Sequence, residues 1–344
     1  MGGNALKVLI TGGAGFVGSN LAKHYMENNA DVRILDNLSR KGTEVNLKWL
    51  RSLNIPFEFI HADVRDFEAL SKAVIGVDVI YHLAAQVAVT TSVINPRHDY
   101  EVNMTGSFNL LEAVRHLDHP PAVFFSSTNK VYGKMDQVEI TERNNRWEYK
   151  SLLTGNPETT PLDFYSPYGC SKGGADQYIH DYGRIYGIPT VVFRMSCIYG
   201  PRQMGCEDQG WVAFFLIQAA LNRSITIYGD GKQIRDVLYV EDLVNAFYQA
   251  YQHIDTTRGE VYNIGGGPDR TLSLLETINA IKENFEVKLP FSFSDWRPGD
   301  QKVYVSDIRK AYVDFGWSPK VEPRDGLGRL FDWIQENKTL FENF

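Results

Sequence analysis

Six short, almost unbroken apolar runs punctuate the first two-thirds of the chain. They are KVLITG (7–12), DVRILDN (31–37), FEFIHAD (57–63), DVIYHLAA (78–85), AVFFSST (122–128) and TVVFRMS (190–196). Between them lie segments with helical spacing, such as GSFNLLEAVRHL (106–117). Strands that are apolar on both sides and alternate with helices predict a parallel sheet covered on both faces, a doubly wound α/β fold. After about residue 195 the pattern loosens into Pro-, Gly- and aromatic-rich stretches and short helical segments: VEDLVNAFYQAYQ, TLSLLETINAIKE and RDGLGRLFDWIQEN. The expected division is a large domain over 1–194 with a return segment at about 233–262, and a smaller lobe from 195–232 and 263–344 that caps the C-terminal edge of the sheet. One long connection, Gly133 to Ser166, is rich in charge and aromatics. A loop of that length is expected to be functional or mobile, with a plain surface excursion as the alternative.

Composition narrows the partners. The chain has 344 residues, 43% hydrophobic and 22% charged, enough for a sizeable core without covalent staples. A net charge of −7 argues against nucleic acid and makes any anionic ligand depend on a few local basic residues. Cys170, Cys197 and Cys206 form no paired motif, which fits a reducing, cytoplasmic setting. No signal-peptide pattern opens the chain. The longest apolar stretch, VAFFLIQAAL (212–221), is half of the about 20 residues that span a bilayer, so no membrane association is expected. Nothing in the sequence suggests a metal.

LITGGAGFVGSNLA (9–22) sets glycines at 12, 13, 15 and 18 directly after a strand and at the start of a helix. Such glycines allow a tight turn and let a pyrophosphate approach the backbone at the helix N-terminus. Asp36 ends the second strand, where a carboxylate accepts bonds from adenosine ribose hydroxyls and repels a 2′-phosphate; NAD is therefore expected over NADP. Arg40 and Lys41, nearby, are the features that could instead neutralise a phosphate. Asp63 could reach the adenine or could cap a helix. HLAAQ (82–86) has small residues that let backbone lie against a ligand.

SPYGCSKGGADQY (166–178) places Tyr168 four residues before Lys172, on one helix face. A phenol, with a pKa of about 10, is a poor base near neutrality. A neighbouring ammonium and a cationic nicotinamide are expected to lower it, so that Tyr168 takes the proton of a substrate hydroxyl. Thr128, at the carboxyl end of its strand, is placed to bond the same hydroxyl. Ser126 and Ser127 are expected to bond backbone or cofactor, or simply to cap the strand end.

TGGAGFVG, Asp36, HLAAQ, VNMTGSFNLLEAVR, SSTNKVYG, YGCSK and RDVLYVEDL together resemble the extended short-chain dehydrogenase/reductases that act on nucleotide sugars, over nearly the whole chain. Within that family DNLSRKGTEVNLKWL, QVAVTTS, SSTNKVYG, SPYGCSKGGADQY and GKQIRDVL are most similar to the CDP-paratose (CDP-tyvelose) 2-epimerases. These oxidise the sugar at C2, let the keto-sugar turn, and reduce it on the opposite face. The resemblance implies Thr128, Tyr168 and Lys172 as the catalytic trio. It implies a NAD site over Gly12, Gly15, Phe16, Val17, Gly18, Asp36, Asn37, Ser39, Arg40, Asp63, Val64, Leu83, Ala84, Ala85, Gln86, Asn103, Ser126 and Ser127, with Tyr168 and Lys172. It implies a substrate site over Thr90, Thr128, Asn129, Cys197, Arg202, Gln203, Arg235 and Arg297, the last two gripping a diphosphate as bidentate guanidinium groups. A homodimer or homotetramer, paired through about 97–117 and 168–187, and a place in carbohydrate metabolism such as lipopolysaccharide biosynthesis, are further implications.

Two departures shape the expectation. The family's sugar 4,6-dehydratases carry Asp-Glu after the catalytic threonine, for elimination of water. Here Asn129 and Lys130 stand there, and neither performs carboxylate chemistry; Lys130 is left with no derived role beyond pairing a carboxylate. The family's R-x-x-N-x-Y-G-P reads RMSCIYGP, so Cys197 replaces an amide that contacts the diphosphate. A small packing residue is the better reading of that thiol than a nucleophile. A UDP-hexose 4-epimerase uses the same trio and is the alternative enzyme. A non-catalytic NAD-binding sensor or scaffold, and an oxidoreductase that releases reduced cofactor, are the alternatives from other classes.

Overall fold

The computed structural model describes residues 5–297 and 299–342. The six apolar runs become β1 (Lys7–Thr11), β2 (Asp31–Asp36), β3 (Glu58–His61), β4 (Val79–His82), β5 (Ala122–Thr128) and β6 (Thr190–Met195), and Glu260–Ile264 adds β7. All pair in parallel, in the order β7-β6-β5-β4-β1-β2-β3. β5 is buried along its whole length. Phe124 enters one core with Val8, Tyr81 and Phe193, while Val123 and Phe125 enter the opposite one with Leu9, Leu110 and Ile179. Burial on both faces is the physical content of an apolar run without alternation.

The order of strands decides where chemistry sits. β1 is central, β2 and β3 lie to one side, and β4 to β6 to the other. Ligands occupy the crevice beyond the carboxyl ends where the order reverses. Residues after β2 and β3 therefore face one half of a ligand, and residues after β4, β5 and β6 the other.

The lobe has its own core, in which the helix Trp211–Ala220 packs between Leu274–Phe285 and Pro323–Glu336. Its sheet is built on Ile234–Tyr239, paired with Cys197–Tyr199, Thr271–Ser273 and Val303–Tyr304. The strand Ile234–Tyr239 finds its ladder partners within the lobe, while its Leu238 packs into the core of the large domain, which the helix Val240–Gln252 and β7 rejoin. Phe315 and Trp317 cross back again into that domain's core.

The long connection after Gly133 is docked against the lobe. It contains a hairpin, Ile140–Arg143 with Arg146–Tyr149. Tyr149 joins Val131, Tyr132, Ile234 and Tyr304 in a separate apolar cluster. Trp147 donates from its backbone to Lys232 O (3.1 Å) and from its indole to Asp230 (2.8 Å), and Arg146 pairs with Glu276 (3.2 Å). Its aromatic and charged residues are anchors to the lobe.

Candidate active site

A cleft of about 580 Å³ runs over the carboxyl ends of the strands. At its centre the turn after β1 is shaped by glycine. Gly12 has φ +70°, and a Cβ there would lie 2.7 Å from the Ala84 nitrogen. A Cβ on Gly18 would lie 2.3 Å from the Gly12 carbonyl oxygen. The close approach of the turn, the helix Phe16–Glu27 and the chain after β4 is possible only without side chains. The helix opens at Gly15 with no side-chain cap, leaving its first amides to a ligand.

On the β2–β3 side, Asp36 accepts from Ala14 N (3.0 Å) and Leu38 N (2.8 Å). Burial pushes its carboxyl up and those amides oppose the shift. Asp63 is not a helix cap: Asp66 caps Phe67–Ala73 by accepting from Ala69 N (3.0 Å). Asp63 is held instead by Arg65 (2.9 Å) and Asn37 (2.7 Å), and the guanidinium brings its carboxyl down to about 2. Both acids line the cleft, as do Phe16, Val17, Asn37, Ser39, Arg40 and Val64.

On the other side Leu83, Ala84, Ala85 and Gln86 line the cleft as expected. Asn103 does not. It is buried one layer back in the π-helical turn Glu101–Thr105. Its side chain accepts from Gln86 N (2.9 Å) and donates to Gln86 O (3.1 Å), clamping the wall rather than forming it.

Thr128, Tyr168 and Lys172 converge at the ends of β5 and the helix Pro167–Tyr186. Ser166 starts that helix by accepting from Gly169 N (3.0 Å), with Pro167 at its first position. The Tyr168 hydroxyl shares a hydrogen bond with Thr128, and all three residues line the cleft. In the protein alone, burial sets the electrostatics of the trio. Burial pushes the Tyr168 phenol up to about 12, against which the Thr128 bond acts. Burial also brings Lys172 down to about 7, with Asp176 and Asp99 opposing. Its ammonium lies 4.1 Å from the centre of the Phe125 ring. In the protein alone desolvation outweighs any pull of the ammonium on the phenol.

The serines beside Thr128 are structural in their bonding. Ser126 donates to His82 O (3.1 Å) and Ser127 to Asp176 (2.6 Å). Asp176 is a buried carboxylate that also takes both forks of Arg194 at 2.9 Å. Asp99, equally buried, accepts from Ser171 (2.6 Å), Gln86 (2.7 Å) and Asn103 (3.2 Å). Asp99 belongs to none of the motifs quoted above, and Asp176, although inside SPYGCSKGGADQY, is marked there only by its i, i+4 spacing from Lys172, as Asp99 is by its spacing to Asn103.

Of the expected substrate residues, Asn129, Cys197, Arg202 and Gln203 line the cleft, whereas Thr90, Arg235 and Arg297 do not. Thr90 sits in the short helix Val89–Ile94 with its hydroxyl buried and unpartnered. Arg235 is buried against Asp300 (2.6 Å), and Arg297 lies over the Tyr228 ring (3.9 Å) beside Asp208 (3.5 Å). Cys197 accepts from the Trp211 indole (3.4 Å), and burial raises its thiol pKa, as a packing residue rather than a nucleophile requires.

The segment 201–209 straps the lobe to the large domain across the cleft. Asn20 donates to Pro201 O (3.1 Å), Asn46 to Arg202 O (3.2 Å) and Arg40 to Gln209 (2.7 Å). Arg202 lies 4.0 Å from the Trp49 ring centre and 5.3 Å from that of Trp333, and burial brings it down to about 10.

Residues 9–330 match the GDP-mannose 4,6 dehydratase family. The chain is 45% identical to a CDP-paratose 2-epimerase from Salmonella typhi, over 95% of this chain and 99% of that one. The chain belongs to the extended short-chain dehydrogenase/reductase family of nucleotide-sugar epimerases and dehydratases. A UDP-glucuronic acid 4-epimerase of this family from Bacillus cereus, solved with UDP-glucuronic acid and NAD, superposes with a TM-score of 0.83 at 30% identity, covering 96% of this chain and 100% of that one. The family's dTDP-glucose 4,6-dehydratase from Streptomyces venezuelae, solved with NAD, gives 0.84 at 27% identity, covering 98% and 99%. Among the described residues of this family member no group of acids, histidines and cysteines could hold a metal, and no helix is long and apolar enough to cross a membrane.

Proposed function

We propose that the protein is a NAD-dependent 2-epimerase of a nucleotide-diphospho-hexose of the CDP-paratose/CDP-tyvelose type. The observation that carries the reading is the placement of Thr128, Tyr168 and Lys172 at the middle of one cleft, with Asn129 and Lys130 beside them where a dehydratase needs acids. The 45% identity to a CDP-paratose 2-epimerase supports the C2 assignment.

The glycine cradle fits a dinucleotide, since backbone at Gly12 and Gly18 leaves no room for side chains but room for a pyrophosphate. Asp36 supports NAD over NADP through its lone pairs and its negative charge. When bound, NAD supplies the hydride acceptor and, for the return, the donor. Tyr168 takes the proton of the C2 hydroxyl and gives it back; Thr128 bonds the same oxygen. Lys172 favours the phenolate once a cation and a substrate oxygen replace the dry surroundings that hold Tyr168 high. The nucleotide end anchors the substrate while the neutral keto-sugar turns, so that binding energy remote from C2 is used during reorientation.

A homodimer is part of this reading. The helices Gly106–Arg115 and Pro167–Tyr186 expose Phe108, Tyr178, Ile185 and Tyr186, and the Phe108 and Tyr178 rings meet edge to face at 5.9 Å. A cytoplasmic setting is supported by the free thiols of Cys170, Cys197 and Cys206.

The test is product analysis without added cofactor. Purified protein is incubated with CDP-, GDP- and UDP-linked hexoses, deoxyhexoses included, and the sugars are read by NMR. A gluco/manno-type exchange is expected. A gluco/galacto exchange replaces the reading with a 4-epimerase, and no exchange with any donor leaves a NAD-binding protein without this chemistry.

A further inference from the structure

Lys130 is two residues past Thr128 and lies in the wall of the cleft. Its backbone N–H donates to the Thr128 hydroxyl oxygen at 3.2 Å, which fixes where the side chain departs. An ammonium has three donors to place. The acceptor within reach is Gln301 Oε1, at a long 3.4 Å, and the nearest carboxylate, Asp300, stands at 3.9 Å, outside hydrogen-bond distance.

Asp300 is committed elsewhere. The same oxygen, Oδ1, accepts from Arg235 at 2.6 Å and from Gln301 N at 3.1 Å. Arg235 is 7% exposed and its other fork donates to Ile234 O at 2.7 Å. Two cations thus share one carboxylate, and the guanidinium holds it. The excess positive charge falls on Lys130, which faces the cleft. Burial and the repulsion of Arg235 bring its ammonium down to about 8, against the attraction of Asp300 and Cys197. A desolvated cation with unused donors is stabilised by an anion, and the anionic part of a nucleotide-diphospho-hexose is its diphosphate.

We infer that Lys130 is a substrate-binding residue whose ammonium takes a phosphoryl oxygen of the substrate's diphosphate, while Asp300 stays with Arg235. This rests on the nucleotide-sugar reading above. It gives a role to the residue that stands in place of a dehydratase carboxylate, and it places a cation against the cleft wall where Cys197 offers no amide.

The experiment is titration calorimetry on the NAD-loaded protein with CDP, GDP and UDP and with the matching monophosphates. The comparison uses whichever base binds the wild type. Lys130→Gln should weaken the nucleoside diphosphate by about 10- to 100-fold, the size of one charge-assisted hydrogen bond, and change the monophosphate much less. Lys130→Arg should recover most of the loss, and NAD content should be unchanged in both variants. Equal weakening of diphosphate and monophosphate, or no weakening of either, overturns the assignment to the diphosphate. Unchanged diphosphate binding with a raised KM for the nucleotide sugar also overturns it, by moving the contact to the hexose. A wild type that binds none of the three diphosphates overturns the nucleotide-sugar reading itself, a result distinct from tight wild-type binding that Lys130→Gln leaves intact.

Discussion

Asp176→Ala should destabilise the fold by about 3–5 kcal/mol, because it strands a buried guanidinium. The side chains of Arg194 and Asp176 are 5% and 0% exposed, and two contacts of 2.9 Å join them. At a charge separation of about 4 Å and an effective dielectric of about 20 the attraction is about 4 kcal/mol. Arg194 keeps the Tyr132 hydroxyl at 3.2 Å and Glu158 O at 3.4 Å, so it is not wholly orphaned. Ser127 loses its 2.6 Å acceptor as well, which adds about 1 kcal/mol. The pair is therefore expected to behave asymmetrically. Removing one member is costly, whereas Asp176→Leu with Arg194→Met, two apolar residues together, should return most of the loss. The assay is urea unfolding of the NAD-loaded protein followed by intrinsic fluorescence, comparing midpoints at constant slope across Asp176→Ala, the single variants Asp176→Leu and Arg194→Met, and the double built from those two. An Asp176→Ala variant within about 1 kcal/mol of wild type, the ordinary size of a surface change, refutes the argument. So does a double variant whose loss equals the sum of the singles. Turnover separates stability from placement: if the Ser127–Asp176 bond sets the end of β5, the refolded double variant stays slow.

Other consequences can be checked more briefly. Tyr168→Phe should abolish epimerisation while NAD co-purifies as in wild type; normal turnover in that variant removes Tyr168 from the proton path. Gly12→Ala must hold alanine at φ +70°, which costs about 1–2 kcal/mol, and must also push Ala84 back from a 2.7 Å contact. Its NAD content after gel filtration should fall sharply, and full loading would refute the cradle. Lys172 has a folded pKa of about 7, depressed from 10.5. The unfolded chain therefore binds more protons between those values, and the stability Lys172 contributes is full above 10.5 and lost as pH falls towards 7. Cofactor-free protein should gain melting temperature from about pH 7 to 9.5, and Lys172→Met should flatten that rise more than Lys130→Met changes the shape near its own lower shift to about 8. A Lys172→Met protein with the wild-type slope would refute the burial argument.

Local pattern was enough for the large domain. Runs apolar on both sides, such as AVFF in β5, have one stable use between two layers of helices, and the glycines at 12, 15 and 18 have one use between a strand and a helix. Much of the site was equally plain, because Thr128, Tyr168 and Lys172 stand in compact motifs. What stayed hidden depends on long-range partners. The strand Ile234–Tyr239 has no mark that assigns it to the lobe sheet; only its pairing with Cys197–Tyr199, Thr271–Ser273 and Val303–Tyr304 does. Asn103 sits within a motif but acts through the Gln86 backbone, and motif and contact cannot be separated on one sequence. The Gly133–Ser166 connection reads as a loop because its anchors, Asp230 and Glu276, are remote in sequence. The burial that raises the Tyr168 phenol was hidden for a similar reason, since desolvation belongs to the whole surroundings and not to the lysine one turn away.

The strap over residues 201–209 bears on the life history of the molecule. Its attachments reach the first helix at Asn20, the chain after β2 at Arg40 and the next helix at Asn46 and Trp49, and it leans on the lobe at Trp333. No one of them shields the cleft, but a dinucleotide crossing that side must part several at once, together with two indole stackings on Arg202. Entry and exit on that side are then coupled to local opening of the strap. Retention of a bound dinucleotide is thereby favoured. An enzyme that oxidises and re-reduces the same sugar has use for such permanence, because reduced cofactor lost midway would strand a keto-sugar that nothing in the cleft could restore.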